Sequence, residues 1–569
     1  MKHMLLAALA AFPALMQAQQ VIHGEMVGRP TDTGITVQAF FDSTVEARLR
    51  YGTEEPQLSD STAWTSSVAS SPLEIVLTGL KPNQRYYYRL EYRSTSETEV
   101  TSRPVRTFHT QRPKGVPFTF VIQADPHMDT QSDSVVWQNC LKNQLHDRPD
   151  FMVDLGDIIM TDKLRDADRR YRRDTINWRT RYMRRFYEQT CHSVPLYIAI
   201  GNHEGENGWV NDGTDNNYAV WSTLERKTYF MNPAPDDFYS GDVTDHPFVG
   251  QRQSYYSWEW GDALFIVLDP YWNTKSKPDS LNGWRWTLGQ QQYEWLKRTL
   301  ERSTSSFKFV FCHQLIGGDP DGRGGVEFAD RYEWGGKNLD GTPGFAQQRT
   351  GWYKPVKDLL KEHRVTIFFH GHDHFFAKQE KDCLVYQETP QPSHTNFSNA
   401  GQADDYGYRE GLILPNSGHL RVQVSSTAIK VEYVRAYNPV NETASRKNGD
   451  VAATYTIGLR NCYDSLTSSV PILWNSSYVN EHVYPNPMHE EARIEFSLTE
   501  QTPIAVEIRN ADGKLVRMIL QETMVDPGRF TLVWDGKNEQ SQPVSAGAYV
   551  FVVRSKERVV SHGVITKHR

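Results

Sequence analysis

The chain has 569 residues, with 62 Lys and Arg against 69 Asp and Glu, a net charge of −7, and 38% hydrophobic and 23% charged residues. Those proportions exclude a disordered or low-complexity chain, and the length calls for about three or four domains, each able to bury its own core. The slight acidic excess carries no signal for nucleic acid or an anionic membrane surface.

Residues 1–18 read as an export signal: Lys2 and His3, an apolar run from Met4 to Leu15, then small residues ending at Ala18, with cleavage expected before Gln19. The run is shorter than the roughly 20 residues a membrane-spanning helix needs, and no other stretch qualifies, so no transmembrane segment is expected. No Cys follows it, which argues against a lipoprotein. The five cysteines, Cys140, Cys191, Cys312, Cys383 and Cys462, include no C-x-x-C pair, so neither a zinc ribbon nor a disulfide scaffold is indicated. One disulfide can form after export, and Cys140 with Cys191 is the pair put forward.

Residues 19–112 alternate as half-buried strands do: Ile35, Val37, Ala39 and Phe41, then Val45, Ala47, Leu49 and Tyr51. Gly79-Leu80-Lys81-Pro82 followed by Tyr86 and Tyr88 resembles the turn and strand of fibronectin type III domains, which implies a β-sandwich. From 113 to 440 the pattern changes to short, continuously apolar runs, the mark of buried strands in a layered α/β fold. These runs are Phe118 to Ala124, Phe151 to Leu155, Leu196 to Ile200, Ala263 to Leu268, Phe307 to Phe311 and Val365 to Phe369. Between the second and third, the Arg-rich segment 161–188 places Tyr182, Met183, Phe186 and Tyr187 at helical spacing, with its charges on a solvated face. Strands near Leu412, Leu420 and Ile429 close this region, and a polar connector is expected over 441–480.

The last stretch, 481–569, reads as a small β-sandwich with alternating Ile494, Phe496 and Leu498 and a turn at Asp512-Gly513. Tyr484-Pro485-Asn486-Pro487, Trp534-Asp535-Gly536, Gly547-Ala548-Tyr549 and the basic end Lys567-His568-Arg569 resemble the carboxy-terminal sorting domains of type IX secretion cargo. A flagellar-hook-type Ig-like module shares part of this pattern. The sorting resemblance implies the type IX machinery as a partner and an extracellular or cell-surface location in a Gram-negative bacterium.

Five motifs each follow an apolar run: Asp125-Pro126-His127, Gly156-Asp157, Gly201-Asn202-His203-Glu204, His313, and Gly371-His372-Asp373-His374. In an open α/β sheet the carboxyl ends of the strands share one rim, so these residues are expected to converge. Two divalent ions need a bridging carboxylate and neutral nitrogen and oxygen ligands, and this donor set favours manganese, iron, zinc or nickel over copper(I) or an iron-sulfur cluster.

In this order the motifs resemble the calcineurin-like metallophosphoesterase superfamily, which implies a central four-layer α/β domain and two metal ions, divalent or mixed-valence, with Mn, Fe or Zn foremost. The resemblance assigns Asp125, His127 and His374 to one ion, Asn202, His313 and His372 to the other, and Asp157 to both. It makes His203 the acid that protonates the leaving oxygen, with Glu204 to orient it, and implies attack of a hydroxide on phosphorus. A fibronectin-like domain ahead of such a core also resembles purple acid phosphatases. Here Met160 stands where their iron-binding Tyr is expected and His127 replaces a Gly of D-x-G, so a colourless enzyme is expected.

Selection of substrate falls to the rim loops 205–220, 271–286 with Trp272, Trp284 and Trp286, and the Gly-rich 317–344, whose Arg323 is a candidate phosphate contact beside Asn202 and His203. Asp269 reads as a turn residue, His370 as core, and Asp373 as a neighbour of the ligands. The expected substrate is a small phosphomonoester, with diesters as the alternative. A surface adhesive protein with an inactive core is the alternative of another class.

Overall fold

The computed structural model describes residues 21–96, 98–279, 282–318, 322–444, 446–459, 478–498, 501–510, 513–526, 528–555 and 558–568. The expected export signal lies outside them. The chain divides into two compact units, the first running to Leu459 except for Arg409–Leu412, which group with the second.

The first unit opens with two antiparallel β-layers. Val21–Gly28, Ile35–Phe41 and Pro72–Leu77 form one, and Val45–Gly52 pairs with Arg85–Ser94 in the other. Both bury alternate residues in one apolar cluster that includes Val37, Ala47, Leu49, Ile75 and Tyr88. Alternation produces this directly, because a strand turns every second side chain to the same face. The Leu80-Lys81-Pro82 turn is pinned by Tyr86, whose hydroxyl accepts the Lys81 N–H at 2.9 Å. The layers rest on the helix Arg173–Cys191, where the buried Arg184 guanidinium donates to the Gln38 side-chain oxygen Oε1 at 2.7 Å.

The remainder of the unit is built on two sheets. In the first, Leu196–Ile198, Phe151–Asp154 and Phe118–Gln123 run parallel, followed by antiparallel Gly418–Val424, Ala428–Arg435 and Val451–Gly458. In the second, Ala263–Val267, Phe307–Phe311, Ile367–His370 and Leu384–Glu388 run parallel, with antiparallel Tyr256–Trp260 on one side and Phe376–Lys381 on the other. Phe120, Ile122 and Val153 of the first sheet share a core with Phe265, Phe309, Phe311 and Phe369 of the second. The opposite faces pack on helices: Val121 and Met152 against Trp137 and Met183, and Ile266 and Val310 against Tyr293, Leu296 and Leu359. Continuous apolar runs were required because these strands are buried on both faces.

The helix over 161–188 begins only at Arg173, since Arg165 and Tyr171 close a bridged loop before it. The strand Val451–Gly458 lies where a connector was expected. Cys140 and Cys191 are buried free thiols, not a disulfide, and Cys383 is the cysteine that is disulfide-bonded. Cys140 faces His419 Nδ1 at 3.7 Å and accepts the Gln144 side-chain N–H at 3.4 Å.

The second unit consists of antiparallel strands in two sheets, with Ala492–Leu498 between Tyr478–Tyr484 and Gly528–Trp534, and Thr502–Asn510 between Leu515–Val525 and Gly547–Ser555. Its core includes Ile494, Val506, Ile508, Trp534 and Phe551.

Candidate metal centre

Each candidate ligand stands just past the carboxyl end of a strand: Asp125 after Phe118–Gln123, Asp157 after Phe151–Asp154, Asn202 after Leu196–Ile198, His313 after Phe307–Phe311, and His372 and His374 after Ile367–His370. The chain turns sharply at these points. Asp125, His127, Asp157, His372 and His374 all hold φ between 46° and 78°, a left-handed conformation that costs about 1 kcal/mol or more for a side-chain-bearing residue. The glycines of the motifs answer to close approach: a Cβ on Gly371 would stand 2.6 Å from Asp125 Oδ2, and one on Gly201 would collide with Asp157.

All seven predicted ligands come together. Asp125 Oδ1 lies 3.6 Å from His127 Nε2 and 3.4 Å from His374 Nε2. Asp157 Oδ2 lies 3.2 Å from His313 Nε2 and 3.5 Å from His127 Nε2, so it touches both groups. His313 Nε2 stands 3.0 Å from Asn202 Oδ1 and 3.2 Å from His372 Nδ1. Asp125, His127 and His374 bring donor atoms within 4.8 Å of one another, and so do Asp157, His313 and His372.

Three of these atoms, Asp125 Oδ1, His127 Nε2 and Asp157 Oδ2, are buried and lack a hydrogen-bond partner among the described residues. An orphaned buried polar atom costs about 1–3 kcal/mol, and three that face one another need a common partner. A cation supplies one. The donors are carboxylate, amide oxygen and imidazole without thiolate, so the residues of the two groups fit divalent metal ions.

Electrostatics point the same way. Burial alone would raise Asp125 and Asp157, yet the imidazoles around them, His313 foremost, hold both below the usual carboxylate range. Burial and the nearby Arg323 keep His372 well below its ordinary pKa, and burial takes His374 to about 4. Neutral imidazoles and ionised carboxylates are the forms that bind metal. His127 and His313 depart from this: against burial, Asp125, Asp129 and Asp157 raise His127 well above its ordinary value, and Asp157 and Asp125 raise His313 to about 9, the response of imidazoles enclosed by anions.

The supporting residues were less legible. Glu204 does not orient His203. Its carboxylate accepts the backbone N–H groups of Asp157 at 2.8 Å, Ile158 at 2.6 Å, Ile159 at 3.1 Å and Gly201 at 2.6 Å, and so ties two ligand loops together. Asp162 takes the place foreseen for Glu204, with Oδ1 at 2.8 Å from His203 Nδ1. His203 Nε2 faces the site, 3.9 Å from Asp157 Oδ2.

Arg179 donates to the carbonyls of His127 and Met128. Arg323 reaches the centre from behind: its Nη1 donates to the His372 carbonyl at 2.7 Å and to Asp373 at 3.1 Å, and its guanidinium lies 4.2 Å over the Tyr406 ring. Asp373 also accepts the Tyr408 hydroxyl at 2.8 Å. His370 is buried and pairs with Glu388 at 2.7 Å, and Asp269 accepts the Tyr271 N–H at 2.8 Å in a turn. The rim tryptophans are largely packed: Trp272 under Arg252, Trp284 against Tyr332 and Trp286 against Tyr271. No spacing rule marks Asp162, but an acid five residues beyond Gly-Asp on the same loop was the available signal.

Residues 118–376 match the family model described as calcineurin-like phosphoesterase, and residues 488–558 match that of the FlgD Ig-like domain. None of the curated proteins compared matches the chain in sequence. Among solved structures it is similar to PhoD, at 15% identity and a TM-score of 0.54 over 79% of this chain and 92% of that one. It is also similar to the purple acid phosphatase PPD1 of yellow lupin, Lupinus luteus, at 14% identity and a TM-score of 0.52 over 77% of this chain and 74% of that one. Among the described residues no helix is long and apolar enough to cross a membrane. The two donor groups lie within the matched stretch, and the central region is a calcineurin-like phosphoesterase domain, that of a metal-dependent phosphoesterase.

Proposed function

We propose that the protein is an exported phosphatase that hydrolyses phosphomonoesters at a binuclear metal centre. Asp125, His127 and His374 hold one ion, Asn202, His313 and His372 the other, and Asp157 is shared. The observation that carries this is the convergence of the three orphaned buried atoms between those two groups. When bound, the ions supply Lewis acidity to the phosphoryl oxygens and acidify water.

The side chains do the rest. Asp162 Oδ1 stands 2.8 Å from His203 Nδ1, an ion-pair contact that favours a protonated imidazole and leaves Nε2 on the site side to carry the proton that the departing oxygen takes. Asn202 and His203 flank the phosphoryl group, and the guanidinium N–H groups that Arg323 does not spend on His372 and Asp373 are the remaining candidate contact for it. With Met160 and no phenolate at the centre, the enzyme is colourless.

The core forms four layers, α/β/β/α, because each sheet shares one face with the other and packs its second face on helices, and in chain order a β-sandwich precedes it and another follows. Export rests on residues 1–18, and type IX sorting on the motifs of 481–569. Deletion of each segment with fractionation of cells tests both.

The function is tested by elemental analysis with rates on phenyl phosphate and diphenyl phosphate, before and after chelation. Two metals per chain and faster monoester turnover are expected. Faster diester turnover would make it a phosphodiesterase, and fewer than two metals with no turnover would revive the adhesive alternative.

A further inference from the structure

The loop between the shared Asp157 and the helix Arg173–Cys191 forms a wall beside His203. Thr161 donates its N–H to the His203 carbonyl at 2.8 Å and its hydroxyl to the Glu204 carbonyl at 2.5 Å, and Asp162 holds the imidazole. Beyond them the chain doubles back through a bridge between Arg165 and Tyr171. The Tyr171 ring stacks on Tyr218 with centroids 4.0 Å apart and planes within 4°. Tyr218 in turn lies against Gly205, where a Cβ would collide with its ring, and stands 3.5 Å from the Thr161 hydroxyl. The guanidinium of Arg165 lies 4.8 Å from the centre of the Tyr171 ring and within hydrogen-bonding reach of that side chain.

Two neighbours in the loop are neutralised: Arg172 pairs with Asp166 at 2.8 Å and Arg170 approaches Asp168 at 3.8 Å. Arg165 has no carboxylate within 4.0 Å among the described residues, and it is exposed. A guanidinium held by stacked rings has lost part of its freedom in advance, so it binds an anion at a lower ordering cost than a free surface arginine. Arg165 feels the charge of Asp162, the carboxylate that stands against His203, so in the phosphatase reading it belongs to the leaving-group side.

We infer that Arg165, carried by the Tyr171–Tyr218 stack, selects phosphomonoesters whose leaving group bears its own anionic substituent, a carboxylate or a second phosphate. The inference rests on the phosphatase reading, with His203 on the leaving-group side. Arg165 acts on the choice of substrate and is not part of the chemical step.

Three substrates separate these ideas: phenyl phosphate, 4-carboxyphenyl phosphate and 4-(trimethylammonio)phenyl phosphate, assayed with the metal-loaded full chain. The quantity read is the ratio of kcat/KM for each charged ester to that for the neutral one. Arg165→Ala is expected to lower the carboxylate ratio about threefold to fivefold, the range of one partly exposed charge pair. Arg165→Glu should lower it further and raise the trimethylammonio ratio. Tyr171→Leu should lower the carboxylate ratio with the arginine still present. Added salt should weaken the wild-type preference.

Ratios that stay within about twofold in Arg165→Glu would overturn the inference and leave the phosphatase reading in place. Absence of turnover of all three esters by the metal-loaded wild type would overturn both.

Discussion

His203 and Asp162 form one device, and substitutions divide its parts. An alkoxide is a poor leaving group and needs a proton as the P–O bond breaks, whereas an activated phenolate leaves unaided. His203→Ala is therefore expected to slow hydrolysis of an alkyl phosphate by about 10²–10⁴-fold and that of 4-nitrophenyl phosphate far less, with two metals still bound. Paired kinetics and elemental analysis read this. An unchanged alkyl phosphate rate would remove His203 from the acid role. Asp162→Asn keeps the shape of the side chain but loses the charge that orients the imidazole, so a smaller loss of about tenfold or more is expected with the same leaving-group dependence. A loss that is equal for both esters would show that Asp162 supports the loop and not the proton.

At the scale of elements, the strand-then-turn arrangement explains how much was legible. Buried parallel strands demand continuous apolar runs, and a turn at each carboxyl end puts the next polar residues on a common rim. The six runs and the seven candidate ligands were therefore visible in order. What was hidden depends on partners distant in sequence or on edges. Asp162 and Arg179 carry no pattern of their own, and Glu204 looked like a partner for its neighbour until four backbone N–H groups claimed it. The strand Val451–Gly458 lies at the edge of its sheet; Ala453, Tyr455 and Ile457 alternate with threonines and pack half-buried on the core, a short signal that was passed over within a polar stretch. The start of the helix at Arg173 was hidden because Arg172, just before it, pairs with Asp166 within the preceding loop.

Arg323 shows the same dependence on distant partners, and it yields a test. Its Nη1 bonds to His372 and Asp373 brace the turn that carries two candidate ligands. Arg323→Ala should weaken metal binding about 10–100-fold, read by titration of the metal-free protein. A raised KM with metal affinity untouched would show that the guanidinium serves substrate instead.

For the molecule as a whole, the region behind the Gly201-Asn202-His203 turn is fastened by a buried charge network. Glu206 binds Arg226 and, at 2.8 Å, Arg252, and Arg252 continues to Asp269 at 2.6 Å. Burial would raise the Glu206 pKa, but the two guanidinium groups outweigh it and hold the carboxyl at about 2, against an ordinary value of 4.5. The folded pKa is thus below the unfolded one. The unfolded state binds more protons between those values, so stability rises with pH across that window. The contribution is fully present above pH 4.5 and is lost as pH falls towards 2, and its size is about 3 kcal/mol at 1.36 kcal/mol per unit. Glu206→Gln leaves two arginines without their shared anion, and a cost of about 3–5 kcal/mol is expected at neutral pH. Denaturant unfolding of both proteins from pH 7 to pH 2 tests the sign: the gap between wild type and variant should be constant down to about pH 4.5 and then close. A gap that persists unchanged at pH 2 would mean that packing, and not the charge of Glu206, holds this region in place.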